Sequence, residues 1–149
     1  KQLNYIQRKL MDINYHIYGS TKYFEKHGIP KTINDLNKHK FISFGRGAPS
    51  PVFNPDWALK LGVKDNKKRK SAMKVNSVMG LLLAVESGVG LAALPDYIVS
   101  LSRNVIKVLP KVEGPITEAH FVFPESLKNV ARVTTFRNFL YSKISEFKS

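Results

Sequence analysis

The segment from Met73 to Pro95 limits the fold more than any other part of the sequence. It begins with apolar and polar residues in alternation, as in a half-buried strand. Ser77 to Glu86 then carries apolar residues at positions i, i+3, i+4 and i+7, the spacing of one helix face, and Gly88 can end that helix. The run Gly90 to Leu94 is short and apolar, which is typical of a buried strand. A strand, a helix and a strand in direct succession predict an α/β fold with a mostly parallel sheet.

The rest of the chain follows the same alternation. Ser20 is a good N-cap for a short helix that contains Tyr23 and Phe24 and ends at Gly28. Residues 46–56 contain three prolines and predict a loop. The other predicted elements are strands at Leu3–Leu10, Ile13–Ile17, Phe41–Phe44, Val105–Leu109 and Ala119–Phe123, a short helix within Pro30–Lys38 capped by Thr32 or Asn34, a helical turn after Pro95, and a closing helix at Val130–Phe147 with Val133, Phe136, Leu140 and Ile144 on one face.

Length and composition exclude several classes of protein. The 149 residues suit about one domain, and an apolar share of 43% excludes a disordered or low-complexity chain. The absence of cysteine excludes disulfide scaffolds, thiolate zinc sites and cysteine catalysis. No signal peptide is visible, and Glu86 and the glycines beside it interrupt the longest apolar run, so no membrane span is predicted. The first residue is Lys1 and not Met, which suggests an internal fragment or a processed product.

The net charge of +13 is the unusual feature of the composition. Residues 57–74 contribute seven basic residues and one acidic residue, and therefore +6 of that total. Such a charge suits an anionic partner, which could be nucleic acid, a membrane surface or a small anion. The basic stretch has no interleaved aromatic residues, however, and a solvated loop between two elements is favoured over a specific nucleic-acid site.

Two turns between a strand and a helix carry small hydroxyl or amide residues. One contains Ser20 and Thr21, and the other contains Asn76 and Ser77. A helix start presents free backbone N–H groups and the positive end of the helix dipole, which suit a carboxylate, sulfate or phosphate. On local sequence alone, these residues are better explained as helix caps than as ligand contacts.

No catalytic or metal-binding pattern emerges from the sequence. Gly88 to Ala93 matches a dinucleotide-binding motif by its letters, but it follows a helix and opens a strand, which reverses the required order. The four histidines are well separated, so a local metal site is not predicted. The nearest acidic pair, Glu113 and Glu118, flanks a probable turn and has no supporting pattern. We therefore expect neither an enzyme nor a bound cofactor.

The order of the segments resembles the effector-binding domain of LysR-type transcriptional regulators. Tyr15 to Gly28 is similar to the family's strand, its Ser-Pro-x-Tyr-Leu helix start and its terminal glycine, although Thr21 stands where the family often has proline. Ile33 to His39 is similar to the turn that follows. Val75-Asn76-Ser77 and the segment Leu82 to Pro95 resemble the most specific part of the family pattern, and Val122 to Leu140 resembles its closing strand and helix.

The resemblance implies a fold like that of type 2 periplasmic binding proteins, with two α/β subdomains joined by crossover strands. It implies one complete Rossmann-like subdomain at residues 13–112. That subdomain is the second of the two. Residues 1–12 would supply a crossover strand and a remnant of the first subdomain, and residues 113–149 would supply a crossover strand and the C-terminal helix of the first subdomain. The family's winged helix-turn-helix would be absent from this chain.

The resemblance also implies a function, which is the sensing of a small, anionic metabolite between the two subdomains of a cytoplasmic regulator. Ser20, Thr21, Asn76 and Ser77 would face that cleft, and Phe44 and Gly45 would form its walls. The intact protein would be a homo-oligomer that contacts DNA only through the helix-turn-helix and does not contact a membrane. The alternatives are a periplasmic-type solute-binding protein and a basic nucleic-acid-binding module that uses residues 60–74.

Overall fold

The computed structural model describes residues 4–45, 56–64 and 67–147. Most of the predicted loop at residues 46–56 lies outside this part of the chain. The strands are β1 (Tyr5–Ser20), β2 (Phe41–Phe44), β3 (Ser71–Val75), β4 (Ala92–Pro95), β5 (Val105–Val108) and β6 (Ile116–Pro124). The helices are α1 (Thr21–His27), α2 (Trp57–Lys60), α3 (Val78–Glu86), α4 (Asp96–Val99) and α5 (Ala131–Phe147), with 3-10 turns at Asn34–Lys38 and Glu125–Leu127.

The chain forms two compact units, and it passes between them within β1 and β6. One unit contains residues 14–117, and the other contains residues 1–13 and 118–149. β1 is one continuous strand, so the expectation of two strands, Leu3–Leu10 and Ile13–Ile17, is wrong. No glycine or proline lies between those two segments to end the first.

The sheet in unit 14–117 contains both parallel and antiparallel pairs. β2 is parallel to β3, and a parallel bridge joins Phe41 of β2 to Leu91, the residue before β4. β1 lies between β4 and β5 and is antiparallel to both. The mostly parallel sheet expected from the sequence is therefore wrong for β1. A parallel arrangement is expected where a helix connects two strands of one sheet. No helix precedes β1 within this unit, so this expectation does not apply to it.

Both faces of this sheet are covered by helices. Because side chains alternate along β1, Tyr18 joins a core with α3 and α4 on one face, and Ile17 joins a core with α1 and α2 on the other. The short helix α2 was not predicted from the sequence, and its Ala58 and Leu59 are buried. This two-sided burial explains why β4 is apolar throughout rather than alternating.

The unit of residues 1–13 and 118–149 pairs β1 with β6 and includes α5. The backbone N–H of Glu125 donates to the carbonyl of Asn4 at 2.9 Å, and the Tyr141 hydroxyl donates to the carbonyl of Lys9 at 2.8 Å. The expected apolar face of α5 is only half-buried, and Phe136 remains 52% exposed. Among the described residues, no helix has both the length and the apolar character that crossing a membrane requires.

Candidate functional site

The ends of β2 and β3 lie side by side at one edge of the sheet. The backbone N–H of Gly45 donates to the carbonyl of Val75 at 2.8 Å. A Cβ placed on Gly45 would lie 3.8 Å from the Cβ of Asn76. The structure therefore brings together Phe44, Gly45, Asn76 and Ser77, the four predicted site residues that follow these two strands.

Helix α3 begins at this same edge. The Ser77 hydroxyl caps it by accepting from the Gly80 N–H at 3.3 Å. A Cβ on Gly80 would come within 2.6 Å of a Val75 methyl group, so glycine lets the helix start pack closely on β3. Asn76 is exposed, and its side chain makes no hydrogen bond within the described residues. Its amide is therefore available to a ligand, whereas the Ser77 hydroxyl already has a structural role as the cap.

A carboxylate network lies beyond the end of β4 at the same edge. Asp96 Oδ1 is 2.8 Å from His16 Nδ1 and accepts from the Tyr18 hydroxyl at 2.8 Å. Its Oδ2 accepts from Lys107 Nζ at 3.2 Å. One carboxylate thus joins β1, β5 and α4. This network was not predicted from the sequence, although the alternation of side chains along β1 places His16 and Tyr18 on one face.

The network affects the ionisation of Asp96 and Tyr18. Burial acts to raise the pKa of Asp96, but the hydrogen bonds from His16, Tyr18 and Lys107 outweigh it and hold that pKa below its ordinary value. Burial, together with the hydrogen bond to Asp96, raises the pKa of the Tyr18 hydroxyl above its usual range. Asp96 is therefore ionised and Tyr18 is neutral at pH 7.

Ser20 and Thr21 lie at the opposite edge of the sheet. Tyr18 of β1 pairs with Ala92 at the start of β4, and Ser20 pairs with Val105 at the start of β5. The pairing registers put Phe44 roughly level with His16, so Ser20 is four strand positions further on, about 13 Å along the strand. Ser20 is fully buried, and its hydroxyl accepts from the Tyr23 N–H at 3.3 Å. The six predicted residues are not brought together in one place.

The basic stretch of residues 57–74 is partly built into the core. Arg69 stacks over the Phe41 ring at 5.7 Å, and its guanidinium donates to Asn37 and to three backbone carbonyls. Lys68 pairs with Asp56 at 2.5 Å. The stretch is therefore more than the solvated loop that the sequence favours. Among the described residues, no cluster of three or more histidine or acidic side chains is arranged to hold a metal ion.

Comparison with known proteins identifies the family. Residues 2–144 match the family model described as the LysR substrate binding domain. The chain belongs to this family. An uncharacterized HTH-type transcriptional regulator of Haemophilus influenzae is 28% identical over 133 residues, which are 87% of this chain and 45% of that protein. The chain therefore spans less than half the length of this curated relative.

Solved LysR-type structures share the fold. The regulatory domain of CrgA from Neisseria meningitidis is 22% identical with a TM-score of 0.76, over 94% of this chain and 69% of that domain. The regulatory domain of AphB in Vibrio vulnificus is 14% identical with a TM-score of 0.64, over 96% and 70%. The expected α/β fold, like that of periplasmic binding proteins, is confirmed, and so is the LysR resemblance.

Proposed function

We propose that this LysR-type domain senses a small anionic effector at the sheet edge formed by Phe44, Gly45, Asn76 and Ser77. The observation that carries the proposal is the exposed amide of Asn76, which has no hydrogen-bond partner among the described residues and lies beside Gly45, directly before α3. The amide supplies a donor, and the helix start supplies backbone N–H groups and a positive dipole end. In α/β sheets, ligands bind beyond the carboxyl ends of the parallel strands, which is where these residues lie.

Ser20 and Thr21 have a different role in this proposal. Ser20 is buried and already engaged as the cap of α1, and the strand pairing places it at the opposite edge from Asn76. A ligand at the Asn76 edge cannot reach it, since the two edges are about 13 Å apart along the strand. The proposed effector site therefore contains four of the six residues that the sequence suggests.

The wider function follows from the family. We place the complete effector subdomain at residues 13–112, with residues 1–12 and 113–149 belonging to the crossover strands and the other subdomain. In the intact cytoplasmic regulator, a homo-oligomer, the effector binds one arrangement of the subdomains better than another and so shifts their equilibrium. DNA is contacted through a separate helix-turn-helix domain, and no chemical reaction or cofactor is involved.

The test is a titration of the intact regulator that carries this chain. Thermal-shift screening with acetate, succinate, citrate and benzoate would select a ligand, and calorimetry would measure its affinity for the wild type, Asn76→Ala and Thr21→Ala. We expect Asn76→Ala to weaken binding about tenfold, the loss of one hydrogen bond to a charged group. Thr21→Ala, an exposed residue at the opposite edge, should leave affinity unchanged. The reverse pattern would place the site at the α1 edge and refute the proposal.

A further inference from the structure

We propose that unit 14–117 has a second binding site, which takes a small phosphorylated molecule in a basic pocket beside β2 and β3. The pocket has a volume of about 320 Å³ and lies between the α2 residues and residues 68–74. Pockets from about 300 Å³ upward are large enough for small-molecule ligands. Ser43 and Ser71 form its polar floor, with their hydroxyl oxygens 2.9 Å apart.

The charge of this pocket is strongly one-sided. Lys68, Arg69, Lys70 and Lys74 line it, against a single acid, Asp56, which leaves a net charge of +3. Within the described residues, Lys70 and Lys74 have no ion-pair partner, and Arg69 has no carboxylate partner. Like charges gathered around a cavity repel one another, and a multivalent anion relieves that repulsion. The lining therefore calls for a ligand with more than one negative charge.

Arg69 is held by the protein itself, which leaves the lysines as the cations that contact the ligand. Four of its five N–H groups are already used, by Asn37 Oδ1 at 2.9 Å, by the carbonyls of Leu61 and Ala58 at 2.7 and 3.3 Å, and by Ile33 at 3.5 Å. Its planar fork is therefore not free to make the paired hydrogen bonds with which arginine holds carboxylates and phosphates. The remaining cations are lysines, which act as point charges and commonly bind phosphate.

Asp56 competes with the ligand inside the pocket. Its carboxylate holds Lys68 at 2.5 Å, and the side chain of Asp56 is 27% exposed. An incoming phosphate must draw Lys68 away from this acid or bind without it. Removing the carboxylate by Asp56→Asn should therefore strengthen binding, since it frees one lysine and raises the net charge of the lining from +3 to +4.

The site does not depend on the proposed effector function. Only Phe44 is shared between the pocket and the proposed effector edge, and neither Asn76 nor Ser77 lines the pocket. Phosphate binding in the pocket can therefore be present or absent whatever binds at the start of α3. This separation lets one set of variants distinguish the two proposals.

The experiment is calorimetry on this chain at constant ionic strength with pyrophosphate and glycerol 3-phosphate, with glycerol and acetate as matched ligands that lack phosphate. We expect both phosphates to bind and the other two not to. Lys74→Ala should weaken phosphate binding about tenfold, and Asp56→Asn should strengthen it severalfold. Lys26→Ala removes the same charge from exposed α1 outside the pocket, and it should leave affinity within twofold of the wild type.

Several outcomes would overturn the proposal. Equal losses of phosphate affinity in Lys74→Ala and Lys26→Ala would show non-specific attraction to the net charge. If acetate bound as tightly as the phosphates, the pocket would not be selective for phosphate. Loss in Asn76→Ala with no loss in Lys74→Ala would place the anion at the start of α3. Circular dichroism on each variant confirms folding, and the gain expected for Asp56→Asn cannot arise from unfolding.

Discussion

Asp96 shows how one side chain can organise an edge of the sheet. It receives hydrogen bonds from two strands, and it begins the helical turn α4 directly after the buried end of β4. Within the part of the chain that the structure describes, the Asn76 amide at the same edge has no such partner. The difference separates a side chain that holds the fold from one that is available to a ligand, and substitutions at the two positions should affect different measurements.

Replacing Asp96 with asparagine should destabilise the chain by about 1 kcal/mol at pH 7, because His16 and Lys107 lose a charged partner that is partly screened by solvent. The hydrogen bonds lower the pKa of Asp96 in the folded state, so its stabilisation is present above the ordinary value of 3.8 and is lost as the pH falls through the folded pKa. Urea unfolding from pH 7 to pH 3 should show the difference between variant and wild type shrinking with acidity. A constant difference, or one matched by exposed Glu25→Gln, would contradict this.

Gly90 and Gly28 are required for different reasons. Gly90 has no room for a side chain, whereas Gly28 has a backbone conformation that favours glycine. A Cβ on Gly90 would lie 2.5 Å from the Lys40 carbonyl oxygen, and the Leu91 N–H holds that oxygen at 2.8 Å. We expect Gly90→Ala to cost about 2–3 kcal/mol, since backbone must move. Gly28 has open space around it, but its φ of +72° and ψ of 167° form a backbone conformation that is almost exclusive to glycine, so Gly28→Ala should cost about 1–3 kcal/mol through the backbone alone. Urea denaturation of both variants measures the two losses, and a Gly90→Ala variant as stable as the wild type would refute the steric argument.

Local signals in the sequence predict the helices other than α2. Ser20 and Ser77 both cap the helices expected to follow them, and Gly28 ends α1 as expected. These features could be predicted because caps depend on residues within four positions of one another. The direction of β1 depends on its neighbours in the sheet, which are β4 and β5, more than 70 residues later. No local pattern encodes that pairing.

The two caps should differ in their contribution to stability. Both hydroxyls accept from a backbone N–H at 3.3 Å, but Ser20 is fully buried and Ser77 is exposed. Ser20→Ala leaves the Tyr23 N–H without a partner in a buried place and should cost about 2 kcal/mol. Water can replace the hydroxyl at Ser77, so Ser77→Ala should cost about 0.5–1 kcal/mol. Chemical denaturation of both variants measures this order, and Ser77→Asp, which retains a cap, should stay near the wild type.

The order of the strands in the sheet decides which of the candidate site residues lie together. Small polar residues at the ends of strands indicated where an anion could bind. Which of these residues are neighbours depends on the order and direction of the strands, which local sequence does not encode. Ser20 and Asn76 look alike in sequence, as small polar residues after a strand, and only the antiparallel course of β1 separates them. The basic pocket could not be predicted either, because it combines Ser43 of β2 with residues 25 to 31 positions later.

The net charge belongs to the whole chain, and it should make the stability of the fold depend on salt concentration. Unit 14–117 has 16 basic and 7 acidic residues in its sequence, which gives it +9 of the total of +13. Self-repulsion on this scale destabilises a compact state, and salt screens it, since the Debye length falls from about 30 Å at 0.01 M to about 8 Å at 0.15 M. The urea midpoint should therefore rise with NaCl over this range.

Lys60→Glu, on the exposed side of α2, should raise the low-salt midpoint and flatten the salt dependence. A midpoint that falls with salt would show instead that surface ion pairs such as Lys9–Glu118 and Lys143–Glu146 outweigh the repulsion.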